Sequence, residues 1–155
     1  MDSMPKHGEG NAFDQLKLEN QLCFPLYAVS KEITRRYTPF LEPLGLTYTQ
    51  YIVMLVLWEE KKCNVTELGK KLFLDSGTLT PLLKKLEAKG YVKRTREESD
   101  ERCLSVRLTD EGEKLQSKEK NVPKAMASCV NLSPDEAKQL YSTLYKIMEG
   151  FKDNA

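Results

Sequence analysis

The chain has almost no histidine, no closely spaced cysteines and no long apolar run, and each absence removes a class of function. Its one histidine, His7, lies in a polar stretch near the start. The four cysteines, Cys23, Cys63, Cys103 and Cys129, are 40, 40 and 26 positions apart, so there is no Cys-x-x-Cys pair. A structural zinc site therefore has no obvious ligand set, and no metal or cofactor is expected. A thiol enzyme such as a peroxidase would lack the acid–base partner that a nucleophilic cysteine needs beside it. The even cysteine count would allow disulfides, yet a chain of 155 residues can bury a core without them. Most thiols are expected to be reduced.

No apolar run approaches the roughly 20 residues of a membrane-crossing helix. Residues 1–12 are polar, contain Gly and Pro, and lack the apolar centre of a signal peptide. They read as a disordered leader on a cytoplasmic protein with no membrane partner. There is no internal repeat and no low-complexity tract. The formal net charge is only +1, so any signal for nucleic acid has to be local.

What is present is helical periodicity. Apolar residues recur at Leu22, Leu26, Val29, Ile33, Tyr37 and Phe40, in steps of three and four. Pro25 places the start of regular helix near Leu22 or bends it there, and Pro39 and Pro43 help to end it. Thr47 with Gln50 forms a capping-box pattern ahead of a helix reaching about Glu60. Its centre, Ile52 to Trp58, is apolar on all sides, as in a helix buried from several directions. A short helix follows Asn64, and another follows Asp75 and stops at Gly90. Two strands are then predicted, Tyr91 to Thr95 and Leu104 to Leu108, around a charged tip at residues 96–102. Thr109 caps a fifth helix that Pro123 kinks or divides. Ser133, Pro134 and Glu136 start a last helix striped with Ala137, Leu140, Leu144, Ile147, Met148 and Phe151.

Helix, tight connection, helix and two-stranded hairpin is the order of a winged helix-turn-helix. The expected fold is mainly α with a small β-hairpin, and the long first and last helices serve dimerisation. The division is 1–12 leader, 13–46 dimerisation and sensor region, 47–109 winged domain, and 110–155 C-terminal dimerisation helices. Residues 61–96 hold ten Lys or Arg against Glu67, Asp75 and Glu87, an excess of seven that the net charge conceals. The fourth helix suits recognition. Ser76, Gly77, Thr78 and Thr80 are small enough to approach base edges; ordinary capping chemistry is the competing reading of these residues, and for Asp75 it is the better account. Pro81 leaves the Gly77 carbonyl without its usual helical partner. Lys84 and Lys85 suit phosphates, and Arg94 and Arg96 on the hairpin are further candidates for contact with DNA. Arg102, with Asp100 two positions before it, suits a narrow minor groove, though a surface pair is the plainer reading of Asp-x-Arg alone.

The stretches Asn64 to Gly69, Leu74 to Glu87, Gly90 to Arg94 and Ser99 to Arg102 together resemble the MarR family. Leu18 to Phe24 and Thr47 to Tyr51 resemble its organic-hydroperoxide repressor branch. The resemblance runs from about Leu16 to the C-terminus. It implies a homodimer that places two recognition helices in successive major grooves of a pseudo-palindromic operator in double-stranded DNA.

The resemblance also implies a peroxide-sensing cysteine at Cys23 and thiol-binding tyrosines at Tyr37 and Tyr48. Tyr27, one helical turn beyond Cys23, is a supporting candidate. In such regulators the thiolate is oxidised by organic hydroperoxide to sulfenic acid, which then condenses with a second thiol. That thiol is a small external one, or a C-terminal cysteine of the other subunit, whose position Cys129 matches. Cys63 and Cys103 read as structural. A repressor released by a small phenolic ligand, with Cys23 incidental, remains the alternative within the same fold.

Overall fold

A computed structural model of the chain describes residues 13–97, 100–118 and 120–152; the expected leader lies outside the described residues. Two single 3-10 turns precede α1, Cys23–Leu41. Pro25 occupies the third position of α1, where a backbone N–H has no helical acceptor, so the proline breaks no bond. Pro39 lies in the last turn of α1, which ends at Leu41, where the periodicity places its end. The helix gives way there to a 3-10 turn holding Pro43, and Gly45 at φ 64° then reverses the chain.

The capping box at Thr47 is fully formed. The Gln50 N–H donates to the Thr47 hydroxyl at 3.3 Å, and the Thr47 N–H donates to Gln50 Oε1 at 3.1 Å. Helix α2, Tyr48–Glu60, buries Tyr51, Val53, Met54, Leu57 and Trp58, and only Leu55 among its central apolar residues is well exposed. Asn64 caps α3, Val65–Leu72, by accepting from the Thr66 N–H at 2.8 Å. Asp75 caps α4, Ser76–Ala88, which buries Leu79, Leu82, Leu83 and Leu86 on one face. At its end the Gly90 N–H bonds to the Glu87 carbonyl and the Tyr91 N–H to the Leu86 carbonyl, with Gly90 at φ 77°. That paired geometry closes a helix with a left-handed residue, which glycine adopts without steric cost.

The sheet has three strands rather than the two expected. Short β1, Lys62–Asn64, pairs antiparallel with β3, Asp100–Leu108, which pairs in turn with β2, Val92–Glu97. The hairpin strands also run further than predicted, and a register shift at Arg96/Glu97 marks a bulge near the tip. Three residues give no periodicity to read, so β1 was invisible in the sequence; its partner β3 supplies its hydrogen bonds. Helix α5, Asp110–Lys118, is anchored by the Trp58 indole N–H, which donates to the Gly112 carbonyl at 2.8 Å.

By contact the chain divides into residues 1–120 and 121–155. The second unit holds α6, Val122–Ala127, which Pro123 opens, and α7, Pro134–Lys152. Ser133 caps α7: its N–H donates to Glu136 Oε2 at 2.8 Å, and its hydroxyl accepts from the Glu136 N–H at 3.4 Å. No residue of α7 is buried, and Leu140, Leu144, Ile147 and Phe151 are all substantially exposed. Similarly, Leu22, Phe24, Leu26 and Val29 are exposed at the start of α1. Two amphipathic helices thus leave apolar faces open to water, which is costly for an isolated chain.

Candidate nucleic-acid interface and thiol site

One face of α4 is committed to the core by Leu79, Leu82, Leu83 and Leu86, which leaves Ser76, Gly77, Thr78, Thr80, Pro81, Lys84 and Lys85 exposed together on the other. The Thr78 N–H donates to Asp75 Oδ1 at 2.8 Å and its hydroxyl to Oδ2 at 3.1 Å. These bonds hold the Asp75 carboxyl below the usual range. Asp75 therefore caps, and Thr78 spends its hydroxyl on that cap. Pro81 sits inside an unbroken helix.

The local cationic excess is partly consumed by ion pairs. Lys61 meets Glu113 at 2.5 Å, Lys62 meets Glu97 at 2.9 Å, Lys71 meets Glu60, and Arg94 meets Glu87 at 2.8 Å. Among the described residues Lys84 and Lys85 form no ion pair, so their two charges stand unneutralised on the exposed face of α4. Arg94, expected to face DNA, instead places its guanidinium on Glu87, and Arg96 is exposed on β2. The backbone of Asp100 and Arg102 belongs to β3, while their side chains lie outside the described part of the structure.

The sequence reading overlooked Glu87 as a structural partner. The available signal was a carboxylate in the last turn of a helix, where the macrodipole disfavours it, seven positions before an arginine.

The thiol candidates divide by environment. Cys23 is exposed and is the first residue of α1. Tyr27 lies one turn further along and is also exposed, with Lys31 Nζ 5.9 Å from its ring centroid. Tyr37 and Tyr48 come together from different helices, with ring centroids 4.9 Å apart. Tyr51 joins them, at 5.7 Å from Tyr37, and leads on to Trp58 at 6.2 Å. Burial pushes the phenols of both Tyr37 and Tyr48 up, so both keep their protons and can donate hydrogen bonds. Cys23 is not within reach of this pair in its own chain. Fourteen helical residues at about 1.5 Å each separate Cys23 from Tyr37 by roughly 21 Å. Cys63 is buried in β1, its thiol pushed up to about 11 chiefly by that burial, which makes it inert as a nucleophile. Cys129 is half-buried, with its thiol 3.4 Å from the Ala125 carbonyl.

Residues 35–119 match the family model described as transcriptional regulator SarA/Rot. The organic hydroperoxide resistance transcriptional regulator of Bacillus subtilis is 46% identical over 139 residues, covering 90% of this chain and 95% of that one. The HTH-type transcriptional regulator SarZ of Staphylococcus saprophyticus is 51% identical over 127 residues, covering 82% and 87%. Among solved structures, reduced AbfR bound to DNA has a TM-score of 0.75 at 39% identity, covering 90% of this chain and 96% of that one. Overoxidised AbfR, also bound to DNA, gives 0.72 at 42% identity, covering 89% and 97%; AbfR comes from Staphylococcus epidermidis. A MarR variant from E. coli complexed with operator DNA gives 0.77 at 27% identity, covering 89% and 99%. With its helix-turn-helix, its three-stranded wing and these relatives, the chain belongs to the MarR family of winged-helix DNA-binding transcriptional regulators, not to an enzyme family.

Proposed function

We propose that the protein is a homodimeric repressor that holds a pseudo-palindromic operator while Cys23 is reduced and releases it when organic hydroperoxide oxidises that thiol. The observation that carries this reading is the division of the sensor into two halves about 21 Å apart along one helix. An exposed thiol stands at one end of α1, and a packed pair of protonated phenols stands at the other. A dimer built on the uncovered apolar face of α1 can bring the Cys23 of one protomer to Tyr37 and Tyr48 of the other, with Tyr27 alongside. The relative AbfR exists in reduced, overoxidised and disulfide-formed states, which supports redox chemistry at a thiol; the reduced and overoxidised states are both DNA-bound.

The chemistry is balanced without a cofactor. The Cys23 thiolate attacks the distal peroxide oxygen, the O–O bond breaks, the alkoxide leaves and takes up a proton as the alcohol, and Cys23 becomes a sulfenic acid. A second thiol then displaces water to give a disulfide. This thiol is either a small external one or Cys129 of the partner. The larger group at Cys23 breaks the phenol contacts and alters the spacing of the two α4 helices. On DNA, Ser76, Gly77, Thr80 and Pro81 approach base edges, with Thr78 beside them. Lys84, Lys85 and Arg96 meet phosphates, and Arg102, oriented by Asp100, enters the minor groove.

The test is DNA retention by the reduced protein before and after cumene hydroperoxide, with mass spectrometry of the Cys23 peptide. Release together with an added oxygen or disulfide at Cys23 supports the reading. Release with Cys23 unmodified contradicts it. Non-reducing electrophoresis then separates a Cys23–Cys129 crosslink from a small-thiol adduct.

One observation favours the phenolic-ligand alternative. A cleft of about 560 Å³ lies between α1 and the start of α2, with Lys31, Arg35, Thr38 and Tyr48 among its lining. Release of DNA by salicylate, without peroxide, would select that reading.

A further inference from the structure

Glu87 is placed where it should be unfavourable. It lies in the last turn of α4, where a negative charge opposes the helix dipole. Helical spacing also puts it in line with Gly77, Thr80 and Lys84, on the exposed face that the reading above turns toward DNA. An acid at that point repels the ligand unless it does something else.

What it does is hold Arg94 at three points. Glu87 Oε1 accepts the Arg94 backbone N–H at 2.8 Å, and Oε2 accepts Nε at 2.9 Å and lies 2.8 Å from Nη2. Both side chains are largely shielded, at 22% exposure for Arg94 and 34% for Glu87. Nε and Nη2 share Oε2 while Oε1 holds the backbone N–H, so both carboxylate oxygens are engaged and the guanidinium is fixed by two of its nitrogens. The extra bond from the backbone N–H ties β2 itself, not merely a side chain, to the end of α4. Register carries that constraint outward, because Arg94 pairs with Val106 and Arg96 with Leu104 next to the bulge at the tip.

We propose that Glu87 and Arg94 form a clamp that sets the angle of the wing on the recognition helix. Arg94 then acts as a positioning residue through Glu87 and does not itself touch phosphate. The inference rests on the DNA-binding reading above.

The sign of one substitution decides it. Glu87→Gln removes a negative charge from the DNA-facing side and frees Arg94, yet still offers Oε1 to the backbone N–H. If Arg94 were a phosphate contact, this variant would bind DNA more tightly. The clamp requires the opposite, a weakening of about threefold to tenfold, as for a residue that modulates binding without touching the ligand. Reduced wild-type, Glu87→Gln and Arg94→Lys proteins would be titrated with a duplex enriched from a random pool by the wild type, with hydroxyl-radical footprints and melting midpoints alongside. The expected result is weaker binding by both variants and lost protection at the outer edges of each half-site, where wings lie. The recognition-helix protection and the melting midpoint should stay unchanged. Equal or tighter binding by Glu87→Gln overturns the clamp, as does full affinity in Arg94→Lys, which keeps the charge but not the two-pronged geometry. Uniform loss of all protection with a lowered midpoint overturns it too, showing a role in folding only. If the wild type enriches no duplex, the DNA-binding reading fails and the clamp falls with it.

Discussion

Tyr37 and Tyr48 meet from two different helices, with ring centroids 4.9 Å apart and the rings tilted by 57°. The packing keeps two phenol donors beside each other at one end of α1 and leaves Cys23 exposed at the other. If the sensor spans two protomers, mixing subunits can restore it. A Cys23→Ser protein and a Tyr37→Phe/Tyr48→Phe protein should each respond poorly to cumene hydroperoxide. Their heterodimer, whose single Cys23 faces the intact phenols, should regain half the wild-type response, measured as peroxide consumed per dimer. No recovery would mean that thiol and phenols do not work across the interface.

The two phenols also give a pH signature. Burial raises both, so the neutral form is favoured in the folded state. A group raised in this way stabilises the fold below the ordinary phenol value of about 10, and that contribution is lost as pH climbs through the folded value. Absorbance titration at alkaline pH should therefore show a late-titrating fraction that shrinks in Tyr37→Phe and again in Tyr48→Phe. Early titration of both would contradict the packing described.

Lys84 offers a cleaner electrostatic readout than the paired cations. Lys84→Ala should weaken binding similarly on all duplexes and reduce the slope of log affinity against log salt by about one. Lys71→Ala, which removes a cation already held by Glu60, should change that slope little.

Gly112 is a packing prediction. A Cβ there would press into the Tyr91 carbonyl oxygen and stand 2.8 Å from Leu108 Cδ1. The Gly112 carbonyl meanwhile accepts the Trp58 indole N–H. Gly112→Ala should cost about 1–3 kcal/mol or more in urea unfolding, as overpacking does. Gly150→Ala, which meets nothing, should cost none of that.

Much of this architecture was legible in the residues because local chemistry decided it. Thr47 with Gln50, Asp75 with Thr78 and Ser133 with Glu136 are short-range caps, and the structure forms each of them. What escaped the sequence was decided at longer range. β1 exists because β3 pairs with it. Arg94 turned toward Glu87 because the hairpin returns onto the end of α4, a contact that charge counting over residues 61–96 cannot see. The separation of Cys23 from Tyr37 and Tyr48 follows from helix rise alone, once α1 is known to run unbroken.

The most direct test of the account compares wild-type and Cys23→Ser proteins for retention of the enriched duplex after cumene hydroperoxide. The wild type is expected to release the DNA, and Cys23→Ser to hold it at full affinity. Equal release by both proteins would contradict it.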